Sequence, residues 1–242
     1  MSILDELEVK QKEQGVFCVV GGFRLSGKST LAGTLPGKTL LVQAALRETG
    51  SNSAKALAES LGNSLRVVGF STLDQLKAIL KEAEKLKFDN IYIDGISAIT
   101  EIKLDEPAMQ KLLLLPKGVW EVYGAIAEVT ESFILQAKKL AEDSNINVFM
   151  TLALGSKINE KTGLAEVVPE LKGRATLASI KKYATTAIVV RCRHDEKGNL
   201  VRELVTKNDG EYSARIDSLL DQQNPGVVPA DLSLILKLIK GV

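Results

Sequence analysis

Histidine and cysteine are scarce in this chain, whose 242 residues include only His194, Cys18 and Cys192 of these two types. A metal centre built from such ligands needs several of them together, so the composition excludes a His/Cys metal cluster. Both cysteines stand in apolar runs typical of strands, and we expect them to be buried, reduced thiols of a cytosolic protein. His194 precedes Asp195 and is expected in a solvated turn.

The chain also lacks a strong net charge and a long apolar run. Its 31 Lys and Arg residues oppose 30 Asp and Glu residues, a net charge of +1. No global basic field attracts nucleic acid, so any such contact must come from a local patch. No stretch is long and apolar enough to span a membrane, and the N-terminus is acidic rather than signal-like, so no membrane partner is expected. An apolar share of 45% suits one α/β domain.

One motif predicts a chemistry, because it matches the pattern G-x-x-x-x-G-K-[ST] between an apolar strand and a helix start. The glycines let successive backbone N–H groups face the phosphates of a nucleoside triphosphate. Lys28 is expected to reach the β- and γ-phosphates, and the Ser29 hydroxyl is expected to ligate Mg²⁺. The sequence therefore predicts binding of ATP with Mg²⁺ by a phosphate-binding loop (P-loop). Its residues, with the one that follows, are Gly22, Phe23, Arg24, Leu25, Ser26, Gly27, Lys28, Ser29 and Thr30.

Strand and helix signals then alternate, which predicts an α/β fold with a mostly parallel central sheet and helices on both faces. A hairpin of residues 187–193 and 200–206 is expected to form an antiparallel edge. A long amphipathic helix is predicted from Trp120 to Glu142, and a polar loop from Gly155 to Lys172. The expected strands of the parallel part include residues 40–42, 65–68, 90–94 and 147–154.

Candidate catalytic residues follow these strands. Asp94 ends the strand 90–94 and is expected to hold Mg²⁺ through water beside Ser29, the alternative being a turn residue before a glycine. Thr151 either senses the γ-phosphate or is a buried, satisfied hydroxyl. A general base is expected after the strand 40–42, where the first carboxylate is Glu48, with Gln43 as its substitute.

Several segments, taken in order, resemble one family, the small phage-encoded RecA-like recombinases of the single-strand-annealing class. This family overlaps the phage nucleotide-binding AAA ATPases. The segments are the P-loop, the strand 91–97, Trp120, the segment 169–174, and the chain from Lys207 to the terminal helix 231–240. The resemblance covers nearly the whole chain. It implies a RecA-like ATPase domain over residues 15–242, with residues 1–14 as an arm for oligomerisation or a frayed helix. It also implies a homo-oligomer, either a filament or a ring, that acts in the bacterial host cytoplasm. The expected ligand is single-stranded DNA, and a single-strand-binding protein is an expected partner.

The resemblance also implies roles for basic residues. The loop after the strand 147–154 would contact the DNA backbone through Lys157, Lys161, Lys172 and Arg174, unless it is an ordinary hairpin. Lys207, with Arg215 as second candidate, would reach the ATP of a neighbouring subunit, unless each is a surface charge.

Three other classes remain open at this stage. A nucleotide kinase would need an arginine-rich lid, which is not evident in the sequence. A hexameric helicase or packaging motor would share the P-loop and the trans-acting cation. An ATP-gated loader or scaffold that does not hydrolyse ATP would fit the late position of Glu48. The RecA pattern places a glutamate near residue 45, and this chain has none there. Under the recombinase hypothesis we therefore expect ATP hydrolysis to be weak.

Overall fold

The computed structural model describes residues 14–45, 50–160, 163–171, 174–216, 219 and 222–241, without the side chains of residues 174, 175, 177, 179 and 181. Among these residues, no helix has both the length and the apolar character needed to cross a membrane.

A mixed sheet organises the described residues. Its strands are β1 (Phe17–Phe23), β2 (Lys38–Ala44), β3 (Ser64–Phe70), β4 (Asn90–Asp94), β5 (Asn147–Ile158), β6 (Ala165–Pro169), β7 (Thr186–His194), β8 (Leu200–Val205), β9 (Arg215–Ile216) and β10 (Val227–Pro229). The spatial order is β10-β8-β7-β1-β5-β4-β2-β3, with β6 paired to β5 and β9 paired to β7.

The strands from β7 to β3 in this order run parallel, whereas β8, β10, β6 and β9 pair antiparallel. Strand β1 therefore lies at the centre, and β5 separates it from β4. This arrangement confirms the predicted α/β class, with a mostly parallel sheet and an antiparallel C-terminal hairpin at its edge.

Helices cover both faces of the sheet. A 3₁₀ helix follows β1 at Ser29–Thr34, and the α-helices are α1 (Ser51–Ser60), α2 (Leu73–Lys85), α3 (Ile96–Asp105), α4 (Pro107–Leu113), α5 (Gly118–Ser144), α6 (Arg174–Tyr183) and α7 (Leu232–Lys240). Because side chains alternate along a strand, Phe17 and Val19 of β1 pack into the core with α2, α3 and α5. Cys18 and Val20 pack on the other face with the 3₁₀ helix and α7.

Two helices begin at side-chain caps. Thr72 is the N-cap of α2, and its hydroxyl and the side chain of Gln75 form a reciprocal capping box. The carboxylate of Asp231 accepts from the backbone N–H of Ser233 at the start of α7. The long helix α5 includes the predicted span from Trp120 to Glu142.

One local prediction is wrong. The segment 155–172 is not simply a polar loop, because β5 continues to Ile158 and pairs with β6 in an antiparallel hairpin.

The helix expected after the P-loop is a six-residue 3₁₀ helix. Gly33 lies inside it, and a Cβ added there would come within 2.4 Å of the Ala54 carbonyl oxygen of α1. The close packing of α1, together with Pro36 just beyond, explains why this helix stays short.

Candidate functional site

The P-loop connects the carboxyl end of β1 to the 3₁₀ helix through a tight turn. The backbone N–H of Ser26 donates to the carbonyl of Phe23 at 3.2 Å. Gly27 has φ of +94° and Leu25 has φ of +62°, so two of the five connecting residues adopt left-handed backbone. Glycine takes this conformation without a steric penalty, whereas Leu25 is strained and 97% exposed. Such strain is typical of loops that approach a ligand closely.

Lys28 folds back over this loop. Its Nζ donates to the carbonyl oxygens of Gly22 and Phe23, both at 2.8 Å. A Cβ at position 22 would meet Ser26 Oγ at 2.6 Å and Lys28 Cγ at 3.2 Å, so only glycine leaves room for the lysine. The ammonium group is thus held at the mouth of the loop, where β- and γ-phosphates would compete with the two carbonyls.

A buried tyrosine fixes the backbone of Lys28. The hydroxyl of Tyr92, on β4, donates to the Lys28 carbonyl at 2.5 Å. Burial raises the pKa of the Tyr92 phenol well above its ordinary value, and the charge of Asp94 raises it further. The phenol therefore remains a hydrogen-bond donor at physiological pH. The sequence analysis did not identify this contact, because Tyr92 lies in an apolar strand and reads as a core residue.

Asp94 and Thr151 meet at the same edge of the sheet. Their strands β4 and β5 are parallel neighbours, and Thr151 Oγ1 donates to Asp94 Oδ1 at 2.8 Å. Asp94 is 2% exposed, and its Oδ2 is buried with no hydrogen-bond partner among the described residues. A buried carboxylate oxygen without a partner is costly unless a ligand, ion or water uses it. The donor set of Asp94 and the nearby P-loop hydroxyl of Ser29 fits a hydrated Mg²⁺ ion, which prefers oxygen ligands.

The predicted general base is only partly described. Gln43, the last but one residue of β2, lies beside Asp94, since the two residues are partners in the parallel register of β2 and β4. Glu48 lies outside the described residues. Gly50, where the description resumes, approaches Ser29 so closely that a Cβ there would lie 2.8 Å from Ser29 Oγ. The segment between Gln43 and Gly50 therefore begins and ends beside the predicted Mg²⁺ site.

The antiparallel edge contacts the P-loop, which the sequence did not predict. Arg202 Nε donates to the carbonyl of Ser26 at 3.2 Å, and the Cys192 thiol contacts the same oxygen at 3.5 Å. A Cβ on Gly27 would come within 3.0 Å of Arg202 Nε. Cys192 and Arg202 are cross-strand partners in β7 and β8. Only the register of this hairpin shows that both residues reach the P-loop, so the sequence alone could not have identified the contact.

The prediction for the two cysteines is half right. Cys18 is buried, and burial raises the pKa of its thiol far above the ordinary value. Cys192 is exposed. The pairing of β7 with β1 ends at Val190, so Cys192 extends beyond the covered part of the sheet.

The candidate DNA loop is a projecting hairpin. Beyond Leu154, whose partner in β1 is Phe23, β5 continues for four residues and carries Lys157. Lys157 is exposed, and its partner across the hairpin is Glu166. Among the four predicted DNA contacts, Lys161 and Lys172 lie outside the described residues, and Arg174 is described only as the first residue of α6. Their convergence into one basic patch remains a prediction.

Lys207 and Arg215 lie away from the P-loop of their own chain. Both line a cavity of about 920 Å³ between β1, β5, β7 and α6, on the sheet face opposite the 3₁₀ helix. Arg215 pairs with Ala187 of β7, whose partner in β1 is Val19, three residues before the P-loop begins at Gly22. Strand β8 runs antiparallel to β7, so the chain after Val205 also heads away from the P-loop edge. The structure does not bring either cation to the nucleotide site of the same chain.

Comparison with known proteins gives a limited result. No family model matches the chain, and no curated protein matches it. Among solved structures, the chain is similar to a KaiC-like protein of the hyperthermophilic archaeon Pyrococcus horikoshii OT3. The two share 17% sequence identity with a TM-score of 0.44, over 84% of this chain and 83% of the other.

Proposed function

We propose that this protein is an oligomeric, ATP-dependent, single-stranded-DNA-binding recombinase that promotes annealing or strand pairing. The observation that carries the proposal is the double role of β5. The same strand bears Thr151, bonded to Asp94 at the nucleotide edge, and Lys157, exposed on the projecting hairpin. Only five residues of the same strand separate Thr151 from Lys157, so a DNA contact on the hairpin would be connected directly to the nucleotide site.

The nucleotide would be held by the P-loop. The N–H groups of residues 22–29 would donate to the phosphates, and Lys28 would exchange its bonds with the Gly22 and Phe23 carbonyls for the β- and γ-phosphate oxygens. Ser29 and Asp94 would hold Mg²⁺, which neutralises developing charge on the phosphates when bound. The hydrogen bond from Thr151 to Oδ1 would keep the Asp94 carboxylate oriented and leave Oδ2 for the metal or its water.

Hydrolysis needs a group that orients the attacking water. Glu48 is our candidate for this role, with Gln43 as its substitute. An amide positions water but does not accept its proton, so turnover that depends on Gln43 would be slow. We therefore expect weak basal hydrolysis that increases when single-stranded DNA binds.

Assembly would complete the site. We propose that Lys207, with Arg215 second, reaches the γ-phosphate bound to a neighbouring subunit in a filament or ring. Their position away from the P-loop of the same chain supports a role between subunits. A cation that arrives only on assembly makes oligomerisation part of catalysis. Phage origin, action in the host cytoplasm and cooperation with a single-strand-binding protein belong to the same proposal.

A second candidate is an ATP-gated DNA-loading scaffold that binds but does not hydrolyse ATP. It is favoured by Gln43, an amide, at the carboxyl end of β2 next to Asp94. An ATPase assay with and without oligo-dT, together with annealing of complementary strands, separates the candidates. DNA-stimulated turnover with ATP-dependent annealing supports the recombinase. ATP-dependent DNA binding without turnover supports the scaffold, and directional translocation would instead favour a helicase or packaging motor.

A further inference from the structure

Glu170 joins three distant segments at the mouth of the P-loop. Its carboxylate Oε2 lies 3.4 Å from Nε of Arg24, the second residue after Gly22. Its backbone carbonyl accepts from the hydroxyl of Ser97, in the first turn of α3, at 3.2 Å. Its backbone N–H donates to the carbonyl of Ala153 in β5 at 2.8 Å. Glu170, the first residue after β6, thus contacts the P-loop, the segment just beyond Asp94 and the base of the hairpin.

The side chain of Glu170 reaches the P-loop across Gly155. A Cβ at position 155 would lie 2.9 Å from Glu170 Oε1 and 3.0 Å from its Cγ, so a larger residue would displace the carboxylate. Gly155 follows Leu154, the partner of Phe23 at the end of β1. The carboxylate therefore lies level with the first residues of the P-loop.

The pair between Arg24 and Glu170 is exposed, with side-chain exposures of 83% and 39%. Exposed ion pairs add little stability, because water screens the charges and both side chains lose freedom. A phosphate group offers several anionic oxygens that match the guanidinium fork, which gives shorter and stronger bonds. A γ-phosphate in the P-loop would consequently displace Glu170 from Arg24.

We propose that Arg24 exchanges partners, from Glu170 to the γ-phosphate of bound ATP, and that the release of Glu170 reports ATP to the hairpin. The inference rests on the proposed nucleotide and DNA binding. ADP lacks the γ-phosphate, so with ADP the ion pair persists. Glu170 follows Pro169, which pairs with Leu154, and the same ladder continues to Lys157 and Glu166. A change at Glu170 therefore acts directly on the strand pair that carries the DNA contact.

Nucleotide affinities of the full-length protein test the exchange. The Kd values of ADP and of a non-hydrolysable ATP analogue are measured with Mg²⁺ for the wild type, Glu170→Gln and Arg24→Gln. Without the competing carboxylate, Glu170→Gln is expected to bind the analogue about two- to fivefold more tightly, the factor that an exposed ion pair supplies. Arg24→Gln is expected to lose more affinity for the analogue than for ADP, and Glu170→Gln is expected to leave the ADP affinity unchanged. Glu166→Gln serves as the matched control, because Glu166 lies in β6, the strand that leads directly to Glu170.

Oligo-dT affinity in the two nucleotide states provides the second measurement. The affinity of the wild type for oligo-dT is expected to differ between the ADP-bound and the analogue-bound state. In Glu170→Gln this difference in DNA affinity is expected to be smaller. The exchange is overturned if the ratio of the two nucleotide affinities stays at the wild-type value in both variants, or if ADP and analogue affinities fall together, as a structural defect would cause. If wild-type protein binds no DNA in any state, the DNA part of the proposed function fails. The nucleotide ratio then still decides whether Arg24 exchanges partners.

Discussion

The hydroxyl of Thr151 donates a 2.8 Å hydrogen bond to Oδ1 of Asp94, and both residues are buried just where the parallel pairing of β4 with β5 ends. The bond occupies one carboxylate oxygen and leaves Oδ2 without a partner among the described residues. An arrangement of this kind fixes the direction in which the remaining oxygen points. It gives the clearest reason to look for a metal-bound water next to Ser29.

Asp94→Asn is expected to weaken the Mg²⁺ dependence of nucleotide binding and hydrolysis, because the negative charge near the metal is lost while the side-chain shape stays. Loss of an outer-shell partner typically costs about 10–100-fold in metal affinity or activity. Mg²⁺ titrations of ATPase activity and of nucleotide binding measure the effect, with Asp143→Asn at the exposed end of α5 as control. Superimposable titration curves for Asp94→Asn and wild type would make Asp94 a turn residue only.

Lys28→Ala is expected to weaken ATP binding and to abolish ATP-dependent activity while the fold is retained. The ammonium group forms charge-assisted bonds, each worth about 1.5–3 kcal/mol, so the loss of one is expected to weaken ATP binding by roughly 10–100-fold. Calorimetric titration with ATP measures the affinity, and far-UV circular dichroism verifies the fold. Lys55→Ala, on the exposed surface of α1, is the matched control. An unchanged ATP affinity with an unchanged spectrum would contradict the assignment of this P-loop.

Simultaneous substitution of Lys157 and Lys161 by alanine is expected to weaken binding of oligo-dT and leave ATP binding unchanged. A single-strand contact with phosphate contributes a slope of about −0.7 to the logarithm of affinity against the logarithm of salt concentration, so the slope should flatten by up to about 1.4. Fluorescence anisotropy at several salt concentrations measures it. Substitution of Lys55 and Lys81, both exposed on helices, removes the same charge elsewhere. Equal DNA affinity and slope in the hairpin variant would reject this hairpin as the DNA site.

Lys207→Ala is expected to bind ATP as the wild type does and to lose DNA-stimulated turnover, because the missing cation acts on the nucleotide of a neighbour. Comparable trans-acting cations contribute roughly 10³–10⁵ in rate. A mixture with Lys28→Ala gives a sharper measurement, since some mixed interfaces combine an intact P-loop with an intact Lys207. Partial recovery of ATPase activity on mixing supports a shared site. No recovery, with co-assembly verified by light scattering, would mean that Lys207 acts within its own subunit or has no catalytic role.

Local signals predicted the parts of the fold that depend on neighbouring residues. The periodic apolar face of α5 gave the right helix, because it arises from residues three or four positions apart. The hairpin after Leu154 was expected only as the alternative to a polar loop. Its strands are exposed and polar at the tip, so neither strand has the buried alternation that marks a strand in sequence.

The sequence by itself determined the P-loop chemistry and the class of fold. Glycines, Lys28 and Ser29 at fixed spacing specify a phosphate cradle wherever a strand delivers them, and alternating strands and helices specify a mostly parallel sheet. Only the tertiary structure decided which distant residues meet this loop. Tyr92, Arg202 and Glu170 reach it from β4, from β8 and from the end of the hairpin. Their contacts depend on strand order and register, which arise from packing of the whole core and leave no periodic trace along the chain.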